Sequence, residues 1–346
     1  MTALLEVQGL DVSFGARTGL RDITVAVQAG ECLAVLGASG VGKSSLLRTI
    51  AGLQPAGGGR VLVKGINVTA APPEQRSIVY LHQEPVLFPH LTVLDNVAFP
   101  LQVRGQSARQ SATRAASWLE RLQVPELAGR MPAALSGGQR HRVALARALC
   151  AGPAVLLLDE PLASLDPAVR RDVRTALQVV RATSTAAMLL VTHDLEDALA
   201  IATQVMTLGA AEHSIPMPPA ALLLSPPSLA SARLLGIYAE VEGVVLGDGD
   251  TAAFHWLGGA VAVIGVPPGP AIACVRAHEV HVHGAGRTHG PELTVISRQE
   301  TAHEVVLTLR RPGGETATVR VGGGVTAVPG DVIQVCITHA RCFGAG

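Results

Sequence analysis

A chain of 346 residues, 48% hydrophobic and 16% charged, has the material for two or three cored domains. Its formal net charge is zero and it has no Lys/Arg-rich run, which argues against nucleic acid as a partner. Five widely spaced cysteines with no Cys-x-x-Cys pair argue against a disulfide framework or a zinc site and fit a reducing cytosol.

The N-terminus, Met1 to Glu6, lacks a basic leader, so no signal peptide is expected. The first two-thirds alternates apolar runs with helical stretches. Cys32–Leu36, Ile78–Leu81, Val155–Leu158 and Met188–Val191 each end abruptly in polar or glycine residues. Continuous apolar runs of this length suit strands of a parallel sheet buried on both faces. Such sheets place ligands beyond their carboxyl ends, so one site built from four strand ends is expected.

The first of these runs opens Gly37, Ala38, Ser39, Gly40, Val41, Gly42, Lys43, Ser44, a full match to G-x-x-x-x-G-K-[ST], and Ser45 continues into a helix that Gly52 can end. Glycines let backbone N–H groups wrap phosphates, and the helix N-terminus adds positive partial charge. Lys43 can reach the β- and γ-phosphates of ATP, and the Ser44 hydroxyl can ligate Mg²⁺.

Between Pro85 and Leu135 the pattern is helical, with Ala112, Ala115, Leu119 and Leu122 on one face and Arg114 and Arg121 off it. Ser136-Gly137-Gly138-Gln139 then reads as a capping box whose two glycines leave bare backbone at a helix start, with Val143, Ala146 and Leu149 at core spacing beyond. Val155–Leu158 delivers Asp159 and Glu160 at its end. Asp159 suits the Mg²⁺ shell and Glu160 the polarisation of an attacking water.

From Leu208 to about Leu235 the composition turns to Ala, Pro and Ser, which reads as a linker with a short helix. Val241–Leu246, Ala260–Val266, Leu293–Ile296, Val305–Leu309 and Val332–Ile337 then predict a small all-β domain. The nearly uncharged stretches 205–232 and 257–275 are broken by prolines and are not read as membrane spans. His281 and His283 share a strand face near His278 and His289, but no acidic or Cys partner sits at ligand spacing, so a solvated strand end is favoured over a metal site.

Taken in order, these motifs resemble an ATP-binding-cassette ATPase. The resemblance spans Phe14 to His193. It makes Gly37–Ser44 the Walker A loop, Gln83 the Q-loop glutamine, Leu135–Gln139 the signature, and Val155–Asp159 with Glu160 the Walker B strand. Ser164-Leu165-Asp166 becomes the D-loop, His193 the switch histidine, and Phe14 the aromatic that stacks on adenine.

The fold so implied is an α/β P-loop NTPase domain over 1–235, a mixed sheet with a helical subdomain at about 85–140, followed by an all-β regulatory domain over 236–346, TOBE- or OB-like. The catalytic residues so implied are Glu160, His193 and Gln83. Ser44, Gln83 and Asp159 would hold Mg²⁺. The resemblance further implies a homodimer in which Ser136, Gly137, Gly138 and Gln139 of one copy, with Asp166, meet ATP held by the other.

Pro85–Asn96 resembles the segment through which importer ATPases meet their permease, and Cys274–Val280 resembles a strand of their regulatory domain. The implied protein is a peripheral ATPase on the cytoplasmic side of the membrane. It would power an importer of a small polar or ionic solute (ferric iron, molybdate, sulfate, polyamine or sugar) with permease subunits and a solute-binding protein. Gln83-Glu84 and the length resemble ferric-iron importers. Residues 209–222 keep the family's spacing but not its polar residues. The alternatives are an exporter ATPase, which the β-rich tail disfavours, and a soluble cassette protein acting on ribosomes or DNA. Those usually have two cassettes or coiled-coil insertions, which this chain lacks. A non-cassette phosphotransferase leaves Leu135–Gln139 unexplained.

Overall fold

The computed structural model describes residues 3–14, 17–163, 165–209, 212–284, 290–301 and 304–344, without the side chains at 14, 17, 18 and 250. Two compact units divide the chain, Met1–Leu224 and Ser225–Gly346.

In the first unit, β3 (Cys32–Gly37), β6 (Ile78–Leu81), β7 (Val155–Asp159), β8 (Ala187–Thr192) and β9 (Gln204–Leu208) form one sheet in the order β6-β7-β8-β3-β9. Every pairing in it is parallel. The runs in β3, β7 and β8 are buried throughout, as expected of strands covered on both faces. Their carboxyl ends place Gly37, Asp159 and Thr192 along one edge, with Leu81 beside them.

A second, antiparallel sheet is built from β1 (Leu5–Phe14), β2 (Arg17–Val27), β4 (Ala56–Val63) and β5 (Ile66–Asn67), in the order β2-β1-β4-β5. The mixed character of the α/β fold is thus divided between two sheets. They share one core, in which Leu5, Val7, Val25 and Val61 pack with Leu33, Val35, Leu157 and α1 (Lys43–Ala51). The alternation of buried residues at Leu5, Val7, Val25 and Val27 was the available signal for this sheet.

The helical segment resolves into α2 (Val93–Val103), α3 (Ala108–Arg121) and the start of α4 (Gly137–Cys150), with 3₁₀ turns at Pro125–Leu127 and Pro132–Ala134 between the last two. Thr92 and Ser107 cap α2 and α3 by accepting from Asp95 N–H and Gln110 N–H. Ala115, Leu119 and Leu122 are buried while Arg114 and Arg121 are exposed.

After β9 the chain turns back on itself. His213 and Met217 bridge to Leu208 and Val205, and the Ser214 hydroxyl accepts from Thr207 N–H at 2.8 Å. This ordered return opens the segment read from sequence as a linker with a short helix. Two short helices follow, α7 (Pro219–Leu224) and α8 (Leu229–Leu235). The units divide at 224/225, ahead of the 235/236 division read from sequence, because α8 is tied to the tail. Arg233 grips Glu240 of β10 (Ala239–Leu246) through two hydrogen bonds of 2.8 Å.

The second unit holds two five-stranded antiparallel sheets. One orders β12 (Gly259–Ala262), β11 (Ala253–Trp256), β10, β13 (Gly269–Val275) and β19 (Arg341–Gly344). The other orders β14 (Val280–Gly284), β18 (Val332–Ile337), β15 (Glu292–Glu300), β16 (Glu304–Arg310) and β17 (Thr316–Gly322). Val241, Phe254, Trp256, Leu293, Leu307 and Val335 belong to their common core. The run read as Ala260–Val266 stops at Ala262, short of the Pro267-Pro268 pair, and β13 begins beyond it. His289 lies outside the described residues. Among the described residues no three His, Cys, Asp or Glu side chains converge on a metal site.

Candidate active site

The phosphate-binding loop is built by backbone geometry that only glycine takes easily. Gly40 and Gly42 have φ of 81° and 108°, and Gly42 is the residue from which α1 starts. Gly37, the last residue of β3, has no room for a side chain: a Cβ there would meet the Leu208 carbonyl oxygen at 2.7 Å. Ala38, Ser39 and Gly40 are exposed, Val41 and Gly42 half-buried, and Ser45 lies half-buried in the first turn of α1. The far end of α1 is fixed by buried Arg76, which donates to the Thr49, Ile50, Ala71 and Thr69 carbonyls.

Lys43 folds over the loop. It is 4% exposed and donates to the Gly37 carbonyl at 2.9 Å and the Ala38 carbonyl at 3.1 Å. Its third partner is Glu160, with Nζ 3.2 Å from Oε1. The other Glu160 oxygen lies 3.0 Å from His193 Nδ1. Glu160 has φ of 44°, a left-handed conformation unusual outside glycine. Strain of this kind costs of order 1–3 kcal/mol and collects at functional sites. Glu160 N–H donates to the Val191 carbonyl at 3.1 Å, which links the Walker B strand end to the strand leading to His193.

Asp159 is 7% exposed and takes two hydroxyl donors. Ser44 Oγ donates to Oδ1 at 2.8 Å, and the Tyr80 hydroxyl donates to Oδ2. Burial pushes the Tyr80 phenol up, and hydrogen bonding to the Asp159 carboxylate pushes it further in the same direction. Sequence reading passed over Tyr80 as one member of an apolar strand. Its signal was the polar tip that a buried tyrosine must satisfy.

The His193 loop is braced from behind. α6 (Leu195–Ile201) starts at Asp194, and its Asp197, 1% exposed, accepts from both Arg170 and Arg174 of α5 (Pro167–Thr183). Burial opposes ionisation of Asp194. The Asp197 backbone N–H and the Arg170 guanidinium nevertheless hold its carboxyl below the ordinary range.

The signature segment forms the expected capping box. Gln139 N–H donates to Ser136 Oγ at 3.3 Å, and Ser136 N–H to Gln139 Oε1 at 3.0 Å. The glycines divide their roles. Around Gly137 there is open space, whereas a Cβ on Gly138 would meet Val169 Cγ1 at 2.6 Å. No hydrogen bond among the described residues joins Ser136–Gln139 to the Gly37–Ser44 loop of the same chain. His141, also passed over in sequence, lies between the Gly137 and Gln83 carbonyls at 3.0 and 3.2 Å, so α4 touches the Q-loop backbone. Gln83 is exposed.

Asp166 caps α5, accepting from Ala168 and Val169 N–H. Ser164 and the Phe14 side chain lie outside the described residues.

Next to the Q-loop, an apolar cleft of about 510 Å³ is lined by Leu81, Phe88, Phe99, Val103 and Arg147, among others. Fully buried Asn96 ties the Phe88 segment to α2, donating to the Phe88, Leu91 and Thr92 carbonyls and accepting from Phe88 N–H. The Arg147 guanidinium sits 5.1 Å over the Phe88 ring.

The sequence matches the family model described as ABC transporter over residues 20–163. The chain is 39% identical over 282 residues to the sulfate/thiosulfate import ATP-binding protein CysA of Burkholderia mallei, covering 80% of each chain. It is 34% identical over 353 residues to CysA of Acinetobacter baylyi, covering 98% of each chain. It is 37% identical over 270 residues to the Fe(3+) ions import ATP-binding protein FbpC 1 of Rhizobium meliloti, covering 77% of this chain and 76% of that one. A phosphate-binding loop, an acidic pair and a histidine gathered at one sheet edge, together with likeness that runs through the β-rich tail, lead to one conclusion: the chain belongs to the ATP-binding-cassette transporter family as an importer-type ATPase.

Proposed function

We propose that this ATPase powers uptake of a small oxyanion of the sulfate class. The observation that carries the ATPase part is the convergence of Lys43, Ser44, Asp159, Glu160 and His193 at the carboxyl edge of one parallel sheet. In this reading the loop N–H groups and Lys43 hold the phosphates of ATP. Glu160 orients and polarises the attacking water, and His193 and Gln83 sense the γ-phosphate.

Mg²⁺ fits the donor set. The Ser44 hydroxyl and Asp159 carboxylate are hard oxygen ligands held 2.8 Å apart, with Gln83 as a third candidate. Bound with nucleotide, the ion neutralises charge on the β- and γ-oxygens.

The open space at Gly137 and the separation of Ser136–Gln139 from its own loop support a second copy as the source of the missing half. The homodimer would hold two ATP molecules, each between the Walker A loop of one copy and the signature of the other, with Asp166 at the junction. ATP then favours the closed dimer because it binds that state better, and hydrolysis removes the preference.

The apolar cleft beside Phe88, with Val86 and Val103 exposed on that side, supports docking of a permease helix at the cytoplasmic face of the membrane. No helix among the described residues is long and apolar enough to cross a membrane. A solute-binding protein would complete the importer, and the tail would serve as its TOBE-like regulatory domain.

The sulfate class is supported by likeness to CysA over 98% of both chains. A ferric-iron importer is the second reading, supported by FbpC 1. Uptake of labelled sulfate and ferric iron in a strain lacking the gene separates them. The expected result is loss of sulfate uptake with iron uptake intact. The reverse pattern selects the second reading, and normal uptake of both removes the proposal.

A further inference from the structure

Tyr80 stands on β6 opposite Leu157 of β7, two residues before Asp159. Its hydroxyl and that of Ser44 both donate to the Asp159 carboxylate. An ionised carboxylate can only accept, so the Tyr80 hydroxyl donates to Asp159 Oδ2. With Oδ2 so engaged, Oδ1 is the oxygen that accepts from Ser44, at 2.8 Å.

We propose that Tyr80 is a positioning residue that locks the Asp159 carboxylate in the orientation that receives Mg²⁺ beside Ser44. The inference rests on the reading of Asp159 as part of the Mg²⁺ shell. Partners that orient a metal ligand typically affect metal affinity or activity by about 10–100-fold. Phenylalanine at this position keeps the ring and its edge-to-face contact with His82, at 4.5 Å between centroids, and removes only the hydroxyl.

The test measures the affinity of the full chain for a fluorescent ATP analogue, once in EDTA and once in saturating Mg²⁺. The factor by which Mg²⁺ tightens nucleotide is compared in the unaltered chain, Tyr80→Phe, Asp159→Asn and the double variant. In Tyr80→Phe the factor falls about tenfold while the EDTA affinity and the thermal midpoint stay put. In Asp159→Asn most of the factor is gone, and adding Tyr80→Phe changes nothing more, because Tyr80 acts only through that carboxylate.

Tyr80→Phe with an unchanged factor, with an EDTA affinity that drops in parallel, or with a further fall in the Asp159→Asn background overturns the proposal. If Asp159→Asn itself keeps the factor, or the unaltered chain shows none, the Mg²⁺ reading of Asp159 fails first and takes the Tyr80 role with it.

Discussion

Lys43→Ala loses ATP turnover by about 100-fold or more, the scale set by removing one preorganised charge-stabilising group from an active site. The structure says why no neighbour substitutes. Among the described residues Lys43 is the one cation that donates to the loop carbonyls of Gly37 and Ala38, at 2.9 and 3.1 Å. Its ammonium is held by those carbonyls and Glu160, which stations the charge at the loop. Alanine leaves the loop backbone in place but takes away that charge, and with it the attraction for the β- and γ-phosphates. Phosphate release by the purified chain is the measurement. Hydrolysis near the unaltered rate would refute the phosphate-cradle assignment.

Glu160→Gln has a different expected outcome. Glutamine fits the same backbone and can hydrogen-bond to His193, but it cannot accept a proton from water. Loss of a general base typically costs about 10²–10⁴ in rate. Nucleotide binding survives, because Glu160 contributes negative charge to a site that must receive a polyanion. Removing that charge also frees Lys43 from its 3.2 Å ion pair. The variant therefore binds ATP, fails to hydrolyse it and accumulates as a closed dimer, seen as an ATP-dependent doubling of mass in sedimentation. A variant that stays monomeric with ATP at every concentration contradicts the composite-site model.

Much of this site was legible before any coordinates. Gly37–Ser44, Asp159-Glu160 and His193 announce themselves because each follows an apolar run, and a parallel sheet gathers such ends at one edge. The capping box of Ser136 and Gln139 was equally plain, being local in sequence.

The rest depends on long-range packing. The antiparallel sheet of β1, β2, β4 and β5 was missed because its alternation is short and broken by bulges, with register shifts along β1. Gly138 reads as a bare anion-binding residue, yet the Val169 side chain that leaves no room for a Cβ there is one that no local pattern reveals. Tyr80 looked like one more apolar strand residue, and only strand pairing brings its hydroxyl to Asp159. The segment after Leu208 looked like a linker because its composition is Ala- and Pro-rich, but Ser214 and Met217 pair it back onto β9.

The central claim is that one catalytic site needs two chains, and mixing two inactive variants tests it most directly. Ser136→Arg should bind ATP but not turn it over, since the bulky cation would stand where the partner's γ-phosphate is held. Lys43→Ala keeps an intact signature but lacks the cation of its own loop. On the composite-site proposal, the Lys43 of the first chain in a mixed dimer would face the Ser136 of the second, and one complete site would be restored. Phosphate release that is absent from either variant alone and present after mixing is the predicted result. Continued silence of the mixture, with mixed dimers demonstrated to form, would contradict the account.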